Sequence, residues 1–297
     1  MNERMQVFDR RLVTRRRARF ARDFAAAGFL VEEVTARLLD RLADIQREFP
    51  RVLVLGAPLG LVESALAGRW GGELLVACDG AAAMLTAPGL RVVADAEALP
   101  FAPDRFDLVL SPMVLHWVND LPGALVQLRQ CLAPDGLLLV GMPGGETLTE
   151  LRQCLTRAEL ECEGGVSPRV SPFADVRDAG SLLQRAGFAL PVVDVDRITV
   201  SYGDPLRLLR ELGRMGEGNA LRQRRRGPLR RETLVRACQL YGELFADPAG
   251  RIPATFDILF MSGWKPHASQ QQPARRGSAS VRLADALRVP SGKEPGS

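Results

Sequence analysis

The sequence predicts an α/β fold in which helices cover a doubly wound, mostly parallel seven-stranded sheet. From residue 51 onward, short apolar runs alternate with segments of helical periodicity, the pattern of strands joined by helical crossovers. The first run ends in a glycine turn, as in folds that hold a nucleotide beyond the carboxyl ends of their strands. With 297 residues, 46% of them hydrophobic, the chain can bury a core of domain size.

The first strand and its turn occupy residues 51–60. Val52–Leu55 form a strand that is buried on both faces, and Gly56 allows a sharp turn away from it. Two residues depart from the usual pattern of such turns. Pro58 stands where a second glycine is expected, and Val54 stands where these folds often carry a carboxylate.

Two helical segments are expected before the sheet. Residues 1–20 are polar and rich in arginine, and we expect an arm that becomes helical against the core. A mitochondrial transit peptide is the alternative, which Glu3 and Asp9 weaken because such peptides are poor in acids. Apolar residues at helical spacing then predict an amphipathic helix from about 30 to 48, ended by Pro50.

The same patterns predict the strands and the helices between them. The predicted strands are Val52–Leu55, Leu74–Cys78, Leu90–Ala94, Phe106–Ser111, Leu137–Met142, Val192–Tyr202 and Thr255–Trp264. Helices are predicted near 61–69, 80–86, 120–133, 147–161, 175–186, 204–213 and 231–245. The segment Thr147-Leu-Thr-Glu150 has the pattern of a capping box. The last two strands are expected to include an antiparallel pair.

Composition and charge argue against several classes of protein. No apolar run approaches the roughly 20 residues that span a bilayer, and residues 1–20 lack the apolar core of a secretory signal, so we expect no transmembrane segment. A cytoplasmic-type compartment follows, or the mitochondrial matrix in a eukaryote. The five cysteines include no CxxC pair, which favours reduced, mostly buried thiols over disulfides or zinc ligands.

Nucleic acid is not an expected partner, although the pI is near 9.0. The formal net charge is only +4, and the arginine clusters at 10–17 and 222–231 are not interleaved with stacking aromatics. We favour solvated helix faces or anchoring arms, with an acidic protein partner as the other alternative.

Residues directly after the strands are the candidates for ligand binding. Gly56 and Gly60 flank the first turn and lead to a helix N-terminus that can receive an anion. Asp79 stands 23 residues after Gly56, the spacing of a carboxylate that accepts hydrogen bonds from ribose hydroxyls, or it caps the next helix. Asp95 and Ala96 follow the third strand, where an acid and a backbone amide can bind an adenine ring. These residues together predict an adenosine site.

Two further groups of candidates follow later strands. His116 and Trp117, after the fourth strand, are candidates to line a cofactor or substrate pocket, with core packing as the alternative. Gly144 and Gly145, after the fifth strand, would let a substrate approach the backbone closely.

The sequence resembles the class I S-adenosylmethionine-dependent methyltransferases, whose fold is Rossmann-like. The resemblance rests on Phe101-Ala-Pro-Asp-Arg-Phe-Asp107-Leu-Val-Leu-Ser111, Leu115-His-Trp117 and Leu132-Ala-Pro-Asp-Gly136. On this basis residues 1–29 are a basic arm and residues 30–264 a methyltransferase-like domain, with the cofactor half at about 51–145 and the substrate half at about 146–264. Residues 265–297 are a polar tail that we expect to be mobile.

Within this superfamily the chain is similar to the methyltransferase-like mitochondrial complex I assembly factors and their α-proteobacterial relatives. The residues that carry this closer resemblance are Val7-Phe-Asp-Arg10, Leu115-His-Trp-Val-Asn-Asp-Leu-Pro122, Gly144-Gly145 with Thr147-Leu148, Gly164-Gly-Val-Ser-Pro168, Ser171-Pro-Phe173, Met215-Gly-Glu217, Trp264-Lys-Pro-His-Ala-Ser-Gln270 and Arg276-Gly-Ser-Ala279. The resemblance implies an S-adenosylmethionine pocket and a protein substrate, an arginine of a respiratory complex I subunit that is hydroxylated. The fold by itself would indicate methyl transfer instead.

No metal is predicted. A non-haem iron site of the two-histidine, one-carboxylate type would need both histidines of the chain, His116 and His267. We do not expect such a site, because His267 lies near the polar tail.

The first turn departs from the family pattern, which is an acidic residue followed by Leu-Gly-Cys-Gly-x-Gly. This chain has Val54-Leu-Gly-Ala-Pro58-Leu-Gly60 instead. Proline fixes φ at about −65° and has no N–H, and Val54 removes a carboxylate that could face the ammonium group of the cofactor. We therefore expect an adenosine half-site that is retained and a methionine half-site that is weakened.

Three functions are compatible with these residues. The first is an enzyme that modifies a protein side chain, with the cofactor at the adenosine site and the substrate entering over His116, Trp117 and Gly144-Gly145. Methyl transfer needs mainly proximity and an in-line nucleophile, so the lack of an obvious base does not oppose it. The second is a non-catalytic chaperone of complex I assembly. The third, a small-molecule or carrier-protein O-methyltransferase, rests on the fold alone.

Overall fold

Seven strands form the central sheet in the part of the chain that the structure, a computed structural model, describes: residues 6–67 and 72–271. They are β1 (Arg51–Leu55), β2 (Leu74–Asp79), β3 (Leu90–Val93), β4 (Phe106–Pro112), β5 (Leu132–Pro143), β6 (Ala189–Tyr202) and β7 (Ile252–Trp264). Their order is β3-β2-β1-β4-β5-β7-β6. Strand β7 runs antiparallel to β5 and β6, and the other neighbouring strands are parallel. The predicted fold class is confirmed.

Helices flank the sheet and precede it. They are α1 (Arg10–Ala27), α2 (Phe29–Ala43), α3 (Leu61–Leu66), α4 (Leu121–Cys131), α5 (Thr149–Glu163), α6 (Val176–Arg185), α7 (Pro205–Arg214) and α8 (Arg231–Phe245). Single 3-10 turns follow β2 at Ala82–Met84 and β4 at Leu115–Trp117. None of the helices within the described ranges is both long and hydrophobic enough to cross a bilayer.

Strand β1 lies at the point where the strand order reverses. It pairs with β2 on one side and with β4 on the other, so Val54 aligns with Ala77 and with Leu110. Residues 52–55 are at most 1% exposed, since helices cover both faces of the sheet. The loops after β1 and β4 therefore open a crevice at the carboxyl edge, where folds of this kind bind ligands.

Short acidic caps start several helices. The side chain of an aspartate accepts a hydrogen bond from the backbone N–H of the third residue beyond it in α1, α4, α6 and α7, where the caps are Asp9, Asp120, Asp175 and Asp204. Each such bond satisfies one of the N–H groups that a helix start leaves free.

Three local predictions were wrong. The helix predicted at 80–86 is only the 3-10 turn, because the Asp79 side chain accepts from the N–H of Ala81 and tightens the chain there. Helix α2 ends at Ala43, because the N–H of Ile45 bonds to the carbonyl of Leu42 and closes the helix in a tighter turn.

The third wrong prediction is the capping box at Thr147. Helix α5 starts from Leu148, which has a left-handed φ of 56° and makes no side-chain cap. The hydroxyl of Thr147 donates to the carbonyl of Asp257, and the carboxylate of Glu150 accepts from Thr255. Both side chains tie α5 to β7, so neither is free to cap.

The end of the predicted helix 61–69 and most of the predicted tail lie outside the described residues. The chain up to Pro266 forms one compact unit, and a second unit begins at His267. The cysteines are free thiols, buried at 78, 131 and 154 and half-buried at 162 and 238. Burial raises the pKa of the Cys78 thiol to about 12.

Helix α2 packs directly on β5 at a glycine. A Cβ atom added to Gly141 would lie 2.8 Å from Cγ1 of Val34 and 3.3 Å from Cε1 of Phe260. We predict that Gly141→Ala lowers the free energy of unfolding by about 1–3 kcal/mol, as overpacking of a filled core does. Urea denaturation measures this change.

Gly213→Ala is the matched control, since no heavy atom lies within 4 Å of the added Cβ in α7. It should stabilise the protein by up to about 1 kcal/mol, because alanine is the better helix former. Equal effects of the two substitutions would contradict this packing argument.

Candidate functional site

The turn after β1 keeps its glycine geometry despite Pro58. Gly56 and Gly60 both have a φ of 82°, and a Cβ on Gly56 would lie 2.6 Å from Val114. Leu59 takes a left-handed φ of 53°, a conformation that costs a non-glycine residue roughly 1–2 kcal/mol. The turn is therefore formed, with strain moved to the residue after the proline.

Asp79 lies at the end of β2 with a fully buried carboxylate. Its Oδ1 accepts from the N–H of Ala81 at 2.7 Å, a local turn rather than the cap of a helix, since the 3-10 turn that follows has no side-chain cap. Its Oδ2 lies 2.6 Å from Nη2 of Arg17, an arginine of α1 whose side chain is 11% exposed. Asp79 thus already holds a cation from its own chain, and its role toward a ribose stays a prediction.

Arg17 makes further contacts at the same edge of the sheet. Its Nη1 donates to the carbonyl of Met113 at 3.2 Å, and its Nη2 donates to the carbonyl of Gly56 at 3.4 Å. Burial alone would lower the pKa of Arg17, but the charge and hydrogen bonds of Asp79 outweigh it and raise this pKa. The guanidinium is therefore charged, and it binds acceptors at the carboxyl ends of three strands, β1, β2 and β4.

Asp95 and Ala96 follow β3 as predicted. Nη2 of Arg10, two helical turns before Arg17 on α1, lies 2.5 Å from Oδ1 of Asp95, and its Nη1 donates to the carbonyl of Trp117 at 2.9 Å. Oδ1 of Asp95 also accepts from the N–H of Glu97 at 3.0 Å. The structure therefore brings Gly56, Asp79 and Ala96 together beneath α1, with Asp95 beside them bound to Arg10. We call these four residues the adenosine edge, after the predicted ligand.

His116 and Trp117 lie in the 3-10 turn after β4, and both are buried. Nε2 of His116 lies 3.1 Å from Oε2 of Glu217, and its ring centre lies 6.5 Å from that of Phe173. Its Nδ1 is buried without a hydrogen-bond partner among the described residues. Trp117 packs edge-on against Phe8, with 5.3 Å between the ring centroids, and both belong to a small apolar cluster. His116 is thus held by a carboxylate, whereas Trp117 serves packing.

Gly144 and Gly145 form the loop after β5. The N–H of Gly144 donates to the carbonyl of Asp257 at 2.7 Å, and a Cβ there would lie 2.7 Å from Leu259. Close packing against β7 therefore accounts for Gly144. At Gly145 the nearest atom would be 3.7 Å away, on Asp175. The substrate role of this loop stays a prediction.

Several cavities lie outside the adenosine edge, and two of them border the sheet. One of about 150 Å³ is lined by residues that include Met113, Leu151, Phe173, Leu212 and Glu217 and opens beside the carboxyl ends of β4 and β5. A larger one of about 620 Å³ lies between α2, α3 and the amino ends of β1 and β4. Because ligands of this fold bind at the carboxyl edge, the smaller cavity is the candidate for a substrate site.

No metal centre is apparent in the described ranges, where no group of three or more His, Cys, Asp or Glu side chains is placed to hold an ion. His267 belongs to the second unit, and its Nδ1 lies 2.7 Å from Oγ of Ser269.

The sequence argument missed Arg10, Arg17 and Glu217 as members of this site. Arg10 and Arg17 are seven residues apart and therefore share a helix face, together with the intervening Val13 and Thr14. That spacing was visible in the sequence, but the carboxylates that the two arginines bind are distant in the chain. Asp79 is 62 residues from Arg17, and Asp95 is 85 residues from Arg10. The partners could not be read from local pattern.

The fold and this edge define a protein of the class I methyltransferase fold. A family profile described as methyltransferase domain matches residues 53–140. Among solved structures, a Bacillus halodurans protein named as a methyltransferase superposes with a TM-score of 0.55 at 17% identity, over 78% of this chain and 99% of that one. A likeness at this identity shows the fold alone.

Sequence comparison narrows the class. Arginine-hydroxylase NDUFAF5 of Danio rerio, named as mitochondrial, is 42% identical over 96% of this chain and 91% of its own length. The Homo sapiens protein of the same name is 42% identical over 98% and 86%. The malonyl-[acyl-carrier protein] O-methyltransferase of Halorhodospira halophila is 37% identical over 87% and 89%. The chain belongs to the NDUFAF5 family. These identities confirm the resemblance that its sequence motifs indicate.

We predict that the Arg17–Asp79 pair is energetically coupled. Removing one partner leaves the other charge buried and alone, so Asp79→Ala should cost about 3–5 kcal/mol in free energy of unfolding. The double variant Arg17→Ala with Asp79→Ala should cost clearly less than the sum of the single variants, as measured by urea denaturation.

Asp95→Ala is the control for this cycle, because the Asp95 side chain is 45% exposed. Its cost should stay within about 1 kcal/mol, as for exposed ion pairs. Strict additivity at Arg17 and Asp79 would show that the contact contributes nothing to stability.

Proposed function

We propose that this protein uses its methyltransferase fold to modify a protein side chain, an arginine of a respiratory complex I subunit, during assembly of the NADH:quinone oxidoreductase. The observation that carries the proposal is the 42% identity to arginine-hydroxylase NDUFAF5 over nearly the whole chain. The long motifs of the N-terminal arm and of the segment after Trp264 support the same relationship.

The substrate-side cavity has features that suit a guanidinium group. The Glu217 carboxylate lines it beside the aromatic ring of Phe173. A carboxylate binds the planar fork of a guanidinium through paired hydrogen bonds, and an aromatic face stacks on it. Arg169 also lines this cavity, but its guanidinium is held by Glu159 at 2.5 Å. Glu217 is therefore the acid proposed to receive the arginine.

His116 has a positioning role in this proposal. Its Nε2 contacts the Glu217 carboxylate, and its ring lies between Trp117 and Phe173, with centroid distances of 5.0 and 6.5 Å. A carboxylate fixed in this way presents its second oxygen in one direction, which orients a bound guanidinium. The buried surroundings exclude water from the reacting arginine.

S-adenosylmethionine is the cofactor that the fold implies, and it would supply an electrophilic methyl group or a sulfonium charge beside the substrate. Asp79, Asp95 and Gly56 are the residues that would hold its adenosine part, and we propose that Val54 and Pro58 weaken the methionine part. With α1 in place the fit fails, since the space left among these residues is about 20 Å³.

The proposed compartment is the bacterial cytoplasm, or the mitochondrial matrix if the source is a eukaryote. The relatives from animals are named as mitochondrial proteins, which supports the matrix as the compartment in a eukaryote. Contact with the membrane side of the complex would be transient.

Two other functions have specific support. A non-catalytic assembly chaperone is favoured by the filled adenosine edge, because such a protein needs only its surface. A carrier-protein O-methyltransferase is favoured by the 37% identity to the Halorhodospira halophila enzyme. The products separate the three functions: a modified arginine, a methyl ester, or neither.

We predict that Glu217→Gln lowers arginine modification at least about tenfold, since a hydrogen bond to a charged group contributes roughly 1.5–3 kcal/mol. The measurement is peptide mass spectrometry of complex I from a strain that lacks the gene and carries either variant. The mass gain distinguishes an added oxygen atom from an added methylene group.

Glu243→Gln is the control, because this carboxylate is 56% exposed on α8 and distant in sequence from the site. It should leave modification unchanged. If complex I arginines are unmodified even with the native chain while assembly is normal, the chaperone is the function; a methyl ester on a carrier protein would instead establish the third function.

A further inference from the structure

Helix α1 lies in the position where a cofactor of this fold would lie. Four of its side chains, those of Arg10, Val13, Thr14 and Arg17, form one wall of the remaining space beside Gly56 and Asp79. That space is about 20 Å³, whereas ligand pockets measure roughly 300–1,000 Å³ and a single water needs about 10–15 Å³. The edge holds about one water molecule and no cofactor while α1 stays docked.

The guanidinium of Arg17 uses the acceptors that a cofactor would use. It donates to the Asp79 carboxylate and to the carbonyls of Gly56 and Met113. S-adenosylmethionine presents the same kind of donors, namely ribose hydroxyls and an ammonium group. Because Asp79 is fully buried, only one of the two can occupy it at a time.

Several contacts dock α1 from outside the cavity. The N–H of Phe8 donates to the Asn119 side chain at 2.7 Å, and the N–H of Asp9 donates to the carbonyl of Ala220 at 2.9 Å. Arg16 donates to the carbonyl of Gly218. These contacts fix the start of the helix and its Arg16 face, so Arg17 points into the crevice.

The opposite face of α1 is free to solvent, which makes departure of the helix feasible. Arg11, Arg15 and Arg19 are exposed on that face. The helix is joined to α2 through Gly28, and its departure exposes Phe20 and Ala27, which pack in the main hydrophobic core.

We propose that α1 is an intramolecular competitor of the cofactor: Arg17 fills the adenosine edge, and S-adenosylmethionine binds only after α1 has left it. This inference rests on the proposed function for the identity of the cofactor. The apparent affinity for cofactor is then the intrinsic affinity reduced by the fraction of molecules in which α1 is undocked.

The test uses S-adenosylhomocysteine, titrated by calorimetry into the full-length chain. Arg17→Ala should bind it at least tenfold more tightly than the native protein, because the competitor has lost its anchor. Arg19→Ala removes the same charge from an exposed position of the same helix and should bind as the native protein does. Equal affinity in all three proteins overturns the inference and leaves the proposed function standing.

An engineered disulfide between α1 and the edge tests the same competition without removing Arg17. A Cβ on Gly80 would lie 3.8 Å from the hydroxyl oxygen of Thr14, so these two positions of the edge and of α1 are in direct contact and suit an engineered pair of cysteines. The oxidised pair Thr14→Cys with Gly80→Cys should lose S-adenosylhomocysteine binding, and reduction should restore it. Binding by the oxidised protein at the affinity of the reduced one would overturn the inference.

The remaining outcomes are also decisive. If neither the native protein nor Arg17→Ala binds S-adenosylhomocysteine at millimolar concentration, Arg17 is not what keeps the cofactor out, and both this inference and the cofactor part of the proposed function fail. If Arg17→Ala binds tightly but complex I arginines are unmodified, only the proposed function fails. Hydrogen exchange of α2 and β1 in each variant confirms that the fold is intact.

Discussion

The ion pair between Arg17 and Asp79 is the interaction on which the arrangement of the site depends. The carboxyl edge of a parallel sheet gathers carbonyl oxygens, and here Asp79 adds a buried negative charge to them. A buried carboxylate without a cation or several donors is costly, so this edge requires a positively charged or donor-rich occupant. Arg17 satisfies that requirement from within the chain, and the docking of α1 follows from it.

The unusual turn after β1 is consistent with the same requirement. Val54 is fully buried and contributes no charge, so Asp79 is the acid that remains in the crevice beside the Gly56 carbonyl. Pro58 removes a backbone donor, and Leu59 carries the left-handed conformation. In our proposal the turn lacks groups that would hold the charged end of a small ligand, while its Gly56 carbonyl accepts from the Arg17 guanidinium. We regard the altered turn and Arg17 as complementary parts of one arrangement.

The sequence was sufficient to predict the sheet but not to predict that Arg17 occupies its carboxyl edge. Strands such as Val52–Leu55 are buried on both faces, and their apolar runs are local signals that survive folding. The helix predicted at 80–86 failed because the Asp79 side chain took the N–H of Ala81, a competition that periodicity does not register. The Thr147 capping box failed for a similar reason, since β7 supplied a tertiary partner.

Some site residues could be predicted from local sequence and others could not. Asp79 and Asp95 were predictable because their position after a strand fixes which edge they reach. Arg17 and Glu217 were not, because each acquires its role from a residue about 60 to 100 positions away, as the pairs with Asp79 and His116 show.

One residue, Met113, links the proposed cofactor edge to the proposed substrate cavity, and this link couples the two sites. Met113 lines the substrate cavity with its side chain and accepts from Arg17 through its carbonyl. The Glu217 carboxylate acts electrostatically on both Arg16 and Arg17. Burial and the Arg224 charge lower the pKa of Arg16 although Glu217 opposes them, whereas Asp79, with Glu217, raises the pKa of Arg17 against burial. In the proposed scheme, departure of α1 therefore changes two things at once: it empties the adenosine edge and withdraws two positive charges from Glu217. An acid released in this way attracts a substrate guanidinium more strongly, so the cofactor and the arginine would each favour the same undocked state of α1.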